Sequence, residues 1–176
     1  MLTEKKIFTS ENFKLECGRT IPLRIGYETY GSLNENKDNA ILISHYFTAT
    51  SHAAGKYTEE DAIPGYWDDI IGPGKAVDTD KYFVVSADNL CNIQAKNPRV
   101  VTTGPMSEDP ATGRPYGLTF PVVSSLDIAN SQKLLLDSLG IKKLKLAAGP
   151  SLGGMIGMQL VIHYPDFAEK YMADKK

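Results

Sequence analysis

The feature that most constrains this chain is a serine framed by glycines. It lies in the segment Gly149-Pro150-Ser151-Leu152-Gly153-Gly154, between an apolar run that predicts a strand over residues 143–148 and a helical pattern over residues 152–164. This pattern is typical of a nucleophile held in a sharp, strained turn, because glycines let neighbouring backbone approach closely. Ser151 is therefore the candidate catalytic nucleophile, and Gly149 and Gly153 are the candidate elbow glycines. A glycine-rich turn whose serine only caps the helix remains an alternative.

Two backbone N–H groups are candidates for stabilising negative charge on a reacting carbonyl oxygen. Leu152 begins the predicted helix, where N–H groups lack intrahelical partners and the helix dipole is positive. Phe47 lies in a loop after a second apolar strand, at residues 40–43, and such a loop supplies the other donor in sites of this kind. The sequence thus predicts Phe47 and Leu152 as backbone oxyanion donors. His45, in the same loop, is interpreted as a histidine satisfied by a loop carbonyl rather than as a proton-transfer group.

The order of predicted elements favours a mostly parallel α/β sheet. Alternating or continuous apolar residues predict strands over residues 13–17, 21–29, 40–43, 82–86 and 143–148. A helical pattern over residues 124–139 ends at Gly140, and a second helix follows Ser151. Two long irregular segments, residues 45–81 and 89–121, separate the strands, and loops of this length are often functional. Strands joined in this way are typical of a parallel sheet.

Composition and charge exclude several other classes of function. The 176 residues are 42% hydrophobic and 23% charged with a formal net charge of −2, as in an ordinary globular domain. No basic block indicates binding to nucleic acid or to an anionic membrane, and no run approaches the roughly 20 apolar residues of a membrane helix. Without an apolar signal segment, the chain is expected to be cytoplasmic. Cys17 and Cys91 stand alone, so no metal site and no bound cofactor are predicted.

Further segments resemble the homoserine O-acetyltransferase family. They include Ile43-Ser44-His45-Tyr46-Phe47-Thr48, Ser51-His52-Ala53-Ala54-Gly55 and residues 65–76, 78–84, 103–105, 110–117, 120–123 and 149–155. The matches run in order over most of residues 20–166. The resemblance implies an α/β-hydrolase fold and transfer of an acetyl group from acetyl-CoA, as co-substrate, to the hydroxyl of homoserine. An acetyl-serine intermediate would then form on Ser151. The partners implied are small molecules, an acyl-CoA and a hydroxy amino acid, and a homodimer is left open.

The chain departs from the family pattern at three places. Ala49 stands where glycine usually follows the loop threonine, and Pro150 stands where glycine is common. Leu90-Cys91-Asn92-Ile93-Gln94 replaces a Leu-Gly-Gly-Cys-like segment. These changes bear on the substrate more than on the fold. A serine esterase or thioesterase on the same fold is therefore a second hypothesis.

The catalytic acid and base are the missing part of the predicted site. In this fold both follow the serine along the chain, the acid before the histidine. Asp166 and Asp174 follow Ser151, but His163 precedes both and lies about 18 Å of helix rise from the serine. We therefore interpret residues 1–176 as the N-terminal part of an α/β-hydrolase domain, cut at residues 171–176 and inactive alone.

An incomplete domain has a structural consequence that supports a third hypothesis. The strand over residues 143–148 is apolar, and strands normally lie on both sides of it in this fold. Without them it would be an unpaired sheet edge, ready to pair with another chain. The third hypothesis is therefore a non-catalytic remnant or an interaction module.

Overall fold

A computed structural model describes residues 1–174, which form a six-stranded mixed sheet with two helices on one face. The strands are β1 (Lys6–Lys14), β2 (Thr20–Tyr30), β3 (Ala40–Ser44), β4 (Ile71–Gly72), β5 (Val77–Asp78), β6 (Phe83–Ala87), β7 (Glu108–Asp109), β8 (Arg114–Pro115), β9 (Leu144–Pro150) and β10 (Tyr171–Asp174). The helices are α1 (Ser125–Ser138) and α2 (Leu152–His163), with a 3-10 turn at Gly117–Thr119. The main sheet has the order β1-β2-β6-β3-β9-β10.

The parallel strands β6, β3, β9 and β10 form the half of the sheet that carries the candidate site. All five residues of β3 are buried, as expected of a strand covered on both faces. Because the carboxyl ends of parallel strands meet at one edge, the loops after β3, β6 and β9 converge there. The prediction of a largely parallel α/β sheet is confirmed for this half, whereas β1 and β2 run antiparallel to their neighbours.

Different layers cover the two faces of the sheet. Both helices pack on one face, through residues such as Leu135 and Ile156. On the other face the irregular segment between β3 and β6 replaces a helical layer and buries Ala53, Ala54 and Ile71 against the strands. The length of that segment is therefore explained by packing. No helix within residues 1–174 is long and apolar enough to cross a membrane.

The first strand lies earlier in the chain than predicted. The alternation at residues 13–17 predicted a strand there, but β1 ends at Lys14 and a turn follows. The register with β2 shifts between Ser10 and Phe13. The prediction was wrong because β1 is an edge strand of mixed polarity whose exposed residues mask its alternation.

The prediction that the strand near residues 143–148 would be an unpaired edge was also wrong. Strand β10 pairs with β9 in parallel, with Tyr171 opposite Ala147 and Asp174 opposite Pro150. Four residues of the segment interpreted as a cut end thus form a strand, while Lys175 and Lys176 lie outside the described residues. All four β10 residues are exposed, and the apolar run Tyr171-Met172-Ala173 is too short to predict a strand by itself.

The two predicted helices are confirmed to within a residue or two at their ends. Ser124 caps α1, since its side chain accepts the Asp127 N–H while the Asp127 carboxylate accepts the Ser124 N–H. This reciprocal pair is a capping box. Gly140, at φ 75°, follows the helix in the left-handed region, where glycine is favoured.

Candidate active site

Ser151 lies in the tight turn between β9 and α2. Its backbone has φ 51° and ψ −120°, a conformation that costs free energy for any residue with a Cβ. Its N–H donates to the Asp174 carbonyl oxygen at 3.0 Å, and its carbonyl oxygen accepts from Met155 N–H at 3.2 Å. The side chain is exposed and makes no capping hydrogen bond. The alternative of a serine that only caps the helix therefore does not describe this turn.

The elbow glycines bring the end of β3 against the turn. A Cβ at Gly149 or at Gly153 would overlap the Ser44 carbonyl oxygen, which is backbone and has no room to move aside. Only glycine permits this approach. The loop that starts at His45 is therefore held directly beside the serine turn.

The two predicted oxyanion donors line the same cavity. Phe47 and Leu152 both contribute to a cavity of about 280 Å³ at the carboxyl end of the parallel strands. Among residues 1–174, neither backbone N–H has a hydrogen-bond acceptor. The Phe47 side chain is 59% exposed. Both N–H groups are thus free for an oxygen atom bound in the cavity, as oxyanion donors must be.

His45 holds the loop rather than facing the serine. Its ring is buried, and Nδ1 lies 2.7 Å from the Tyr46 carbonyl oxygen, which can only accept. Nδ1 therefore carries the proton, and Nε2 accepts the Asn89 N–H at 3.0 Å. Burial lowers the pKa of His45 below its ordinary value, so the ring is neutral near pH 7. The interpretation of His45 as a loop-satisfied histidine agrees with this geometry.

Side chains from the segment after β6 and from α1 complete the support of the loop. Asn92 Nδ2 donates to the Ala49 carbonyl oxygen at 3.0 Å, and Gln94 Nε2 donates to the Thr48 carbonyl oxygen at 2.7 Å. On α1, Gln132 Nε2 donates to Asn89 Oδ1 at 2.9 Å, while its Oε1 accepts from Ser44 Oγ at 2.7 Å. Sequence reasoning missed these amides. It noted residues 90–94 only as a departure from the family pattern.

A buried charge cluster lies beneath the same loop, and sequence reasoning missed it too. The fully buried carboxylates of Glu28 and Asp88 flank Lys5 Nζ at 3.3 Å and 3.2 Å. Asp88 Oδ1 accepts the Ser51 N–H at 2.8 Å, and Glu28 Oε2 lies 3.0 Å from His52 Nδ1. The cluster therefore fixes the far end of the loop to β2 and to the residue after β6.

The cluster keeps the Glu28 carboxyl ionised. Burial alone raises the pKa of Glu28, but the hydrogen bond from His52, the charge of Lys5 and the hydrogen bond from Tyr57 outweigh it, so the pKa lies below its ordinary value. Burial and the neighbouring carboxylate raise the pKa of Tyr57, whose hydroxyl donates to Glu28 Oε1 at 2.6 Å. The tyrosine thus remains a neutral donor. Since β2 also carries Arg24 and two threonines, the sequence did not single out Glu28 as a buried charge.

No histidine among residues 1–174 bonds to the Ser151 hydroxyl. His45 and His52 are engaged as described, and His163 is exposed, with Nδ1 3.0 Å from the Gln159 carbonyl oxygen in its own helix. The Ser151 side chain has no hydrogen-bond partner in this part of the chain. Nor do residues 1–174 contain a group of three or more His, Cys, Asp or Glu side chains arranged to hold a metal ion.

Comparison with known proteins gives a consistent result at the level of sequence. No family model matches the chain. A homoserine O-acetyltransferase of Deferribacter desulfuricans is 47% identical over 167 residues, which cover 94% of this chain and 43% of that protein. A homoserine O-succinyltransferase of Stutzerimonas stutzeri is 49% identical over 160 residues, covering 89% of this chain and 40% of that protein.

Comparison with solved structures leads to the same family as the comparison of sequences. The homoserine O-acetyltransferase of Bacillus anthracis superposes with a TM-score of 0.96 at 52% identity, covering 98% of this chain and 46% of that one. Esterase E22 superposes with a TM-score of 0.95 at 51% identity, covering 98% and 47%. The chain thus spans less than half the length of the relatives that it matches. Over that span it belongs to the homoserine O-acetyltransferase family of the α/β-hydrolase superfamily.

Proposed function

We propose that this chain supplies the nucleophile and the oxyanion hole of an acyltransferase that moves an acetyl group from acetyl-CoA to the hydroxyl of homoserine. Ser151 is the nucleophile, and the N–H groups of Phe47 and Leu152 are the oxyanion donors. The observation that carries the proposal is the Ser151 backbone at φ 51° and ψ −120°, with a side chain that makes no capping bond. A strained serine at this sheet edge has a chemical rather than a structural use.

The proposed reaction proceeds in two balanced steps. Ser151 Oγ attacks the thioester carbonyl; the new O–C bond forms as the C–S bond breaks, and the serine proton passes through a base to the leaving thiolate. The homoserine hydroxyl then attacks the acetyl-serine, and its proton returns to Oγ. In both steps charge accumulates on the carbonyl oxygen. The two N–H groups would stabilise that charge by several kcal/mol, about 2.7 to 4 for each such donor.

The acid and base of this mechanism would come from outside residues 1–174. The histidines of this part are committed elsewhere, and a serine hydroxyl without a base is a weak nucleophile. The relatives are more than twice as long as the matched span. We therefore expect residues 1–174 alone to bind substrate weakly and to turn over negligibly.

The lining of the 280 Å³ cavity favours a neutral acyl group over succinyl. Among residues 1–174 the lining includes no lysine or arginine to pair with the second carboxylate of a succinyl group, and burial keeps His45 neutral. A carboxylate placed there would lose its hydration without gaining an opposite charge from these residues. Acetyl-CoA is therefore the proposed donor, although a relative at 49% identity is named a succinyltransferase.

A hydrolytic function is the second candidate, because a solved structure at 51% identity is an esterase. The two candidates share Ser151 and the oxyanion donors and differ only in the acceptor, homoserine or water. Release of thiol from acetyl-CoA that depends on homoserine supports the transferase. Cleavage of simple acetyl esters at a rate unaffected by homoserine supports the esterase.

The test combines this chain with the complementary part of the Bacillus anthracis relative. We would measure thiol release from acetyl-CoA and formation of O-acetylhomoserine, with the chain alone and with both parts together. The proposal predicts turnover for the combination and none for a Ser151→Ala version. The matched control His163→Ala should retain full activity, because that side chain is exposed and bonds only within α2.

Two outcomes would contradict the proposal. Activity retained after Ser151→Ala would remove the serine from the mechanism. A combination that folds but transfers nothing, and whose Ser151 resists fluorophosphonate labelling, would favour the non-catalytic module.

The homodimer stays a prediction, and sedimentation of the purified chain tests it. Its most apparent contact surface is the exposed apolar set on α2 and β10, namely Met155, Met158, Ile162, Tyr171 and Met172.

A further inference from the structure

A second cavity lies beside the one that contains the oxyanion donors. It has a volume of about 400 Å³, and the two cavities share Cys91 and Asn92 in their linings. Its wall is formed by the segments after β6 and before β7, namely residues 91–95 and 102–107. Ile93 and Met106, both more than half exposed, lie at its surface. The site therefore extends well beyond the space that an acetyl group fills.

The walls of the second cavity are fixed by hydrogen bonds. Cys91 N–H donates to the Thr103 carbonyl oxygen at 2.9 Å, and Asn92 N–H donates to Thr102 Oγ1 at 3.2 Å. Thr102 Oγ1 in turn donates to the Asn89 carbonyl oxygen at 2.8 Å. Cys91 itself is held at φ 59°, in the left-handed region. These bonds tie the two segments together, so the cavity is formed before any ligand arrives.

The chemistry of the lining is neutral. Within the part of the chain that the structure describes, neither cavity is lined by Asp, Glu, Lys or Arg. Burial, together with the charge of Asp127, raises the pKa of the Cys91 thiol to about 11, so it is uncharged near pH 7. The side chains that can contact a ligand in the second cavity include Ile93, Ala95 and Met106. Such a surface gains from contact with methylene groups and supplies no opposite charge to an ionised group.

We propose that the two cavities form one acyl subsite that accepts an uncharged chain of several methylene groups. This inference rests on the proposed function, because it assumes that the acyl carbonyl lies at the Phe47 and Leu152 N–H groups. From there the methyl group of an acetyl donor reaches only the first cavity. Because the two linings share Cys91 and Asn92, we expect a hexanoyl chain to extend past Cys91 into the second cavity, towards Met106. The enzyme therefore takes neutral acyl groups longer than acetyl.

The test measures binding, so it does not depend on turnover. The purified chain, carrying ¹³C-methyl methionine, is titrated with the acetyl and the hexanoyl thioesters of N-acetylcysteamine. The Met106 methyl resonance reports the second cavity, and the Met158 methyl on α2, outside both linings, is the internal control. We expect the hexanoyl thioester to bind at least tenfold more tightly, since each buried methylene group contributes roughly fourfold. It should shift Met106 and leave Met158 unchanged.

Two variants make the result specific. Ala95→Trp fills the second cavity and should abolish the preference for the hexanoyl thioester over the acetyl thioester. Leu118→Trp, at a fully exposed position, is the matched control and should behave as the parent protein. Circular dichroism of each variant checks that it is folded.

Three outcomes would overturn the acyl subsite. They are equal affinity for the two thioesters, a hexanoyl preference that survives Ala95→Trp, and a Met106 shift caused by pantetheine alone, which would assign the cavity to the thiol arm of the donor. Failure of the proposed acyl transfer is seen separately in the assay with acetyl-CoA and homoserine.

Discussion

The oxyanion loop and the serine turn lie side by side but are supported very differently. The loop after β3 is held by His45, by three amide side chains and by a buried charge cluster, and nearly all of these groups are satisfied. The Ser151 hydroxyl is exposed and has no partner among residues 1–174. The oxyanion loop is therefore preorganised, whereas the Ser151 hydroxyl has no base beside it among residues 1–174. Electrostatic preorganisation can be complete before the nucleophile is activated.

The largest loss of stability is expected at Gly153, where the serine turn contacts the end of β3. Gly153→Ala places a Cβ on the Ser44 carbonyl oxygen, so β3 and the turn must separate. We expect the free energy of unfolding to fall by about 3 kcal/mol, as for a severe overpacking change. Gly157→Ala in the same helix is the matched control. Its Cβ would lie 3.0 Å from the Tyr171 ring, a side-chain contact much less severe than the overlap with backbone at Gly153, and helix propensity should offset it. Equal urea midpoints for the two variants would contradict the close approach.

Removing one charge from the buried cluster should lower the free energy of unfolding by nearly as much as Gly153→Ala does. Glu28→Gln removes the buried carboxylate that pairs with Lys5 and bonds to His52 and Tyr57, and removal of one member of such a group costs about 3 to 5 kcal/mol. Glu169→Gln is the matched control, because its pair with Lys145 is on the surface and should give no measurable change. Chemical denaturation at pH 7 compares them. Similar stabilities would mean that the cluster does not hold the loop.

The neutral state of His45 predicts a pH dependence with a definite sign. Because its pKa is lowered in the folded protein, the unfolded chain binds the proton more readily. Its contribution to stability is complete above the unfolded pKa of about 6.5 and is lost as the pH falls towards the folded pKa, by at most about 1.4 kcal/mol per pH unit. The difference in unfolding free energy between the parent and His45→Gln should therefore shrink below pH 6.5. A difference that grows instead would indicate a charged ring.

The smallest expected change in unfolding free energy comes from the serines at the starts of the two helices, Ser124 and Ser151. Comparing them distinguishes a serine with a structural role from one with a chemical role. Ser124→Ala removes a true N-cap and should cost about 1 kcal/mol of unfolding free energy. Ser151→Ala removes a side chain that caps nothing, so the change should be under about 0.5 kcal/mol. Thermal unfolding of both variants measures the two changes in stability. Equal losses of unfolding free energy would restore the interpretation of Ser151 as a helix cap.

Sequence patterns located the elements with strong apolar periodicity and failed elsewhere. The strands β3 and β6 and both helices lie within one or two residues of their predicted positions. Strands β1 and β10 were misjudged because edge strands bury few residues and so carry little alternation. For the site, the serine turn and the loop were visible as local motifs.

The support of the loop could not be predicted in the same way. Asn89, Gln132 and Glu28 act through partners 23 to 88 positions away in sequence, and only the folded chain brings them together. The departure from the family pattern at residues 90–94 had a structural meaning that the sequence alone did not reveal. Asn92 and Gln94 hold the loop from there.

The most direct measurement of the central claim is peptide mapping of the chain after incubation with p-nitrophenyl acetate, with imidazole added as an external base. A small base in solution can accept the proton of the Ser151 hydroxyl, because that hydroxyl is exposed. We expect one acetyl group on the peptide that contains Ser151, dependent on imidazole and absent from Ser151→Ala. Serine acetylation that is spread over other exposed positions such as Ser32, with none on Ser151, would contradict the role of Ser151 as the nucleophile.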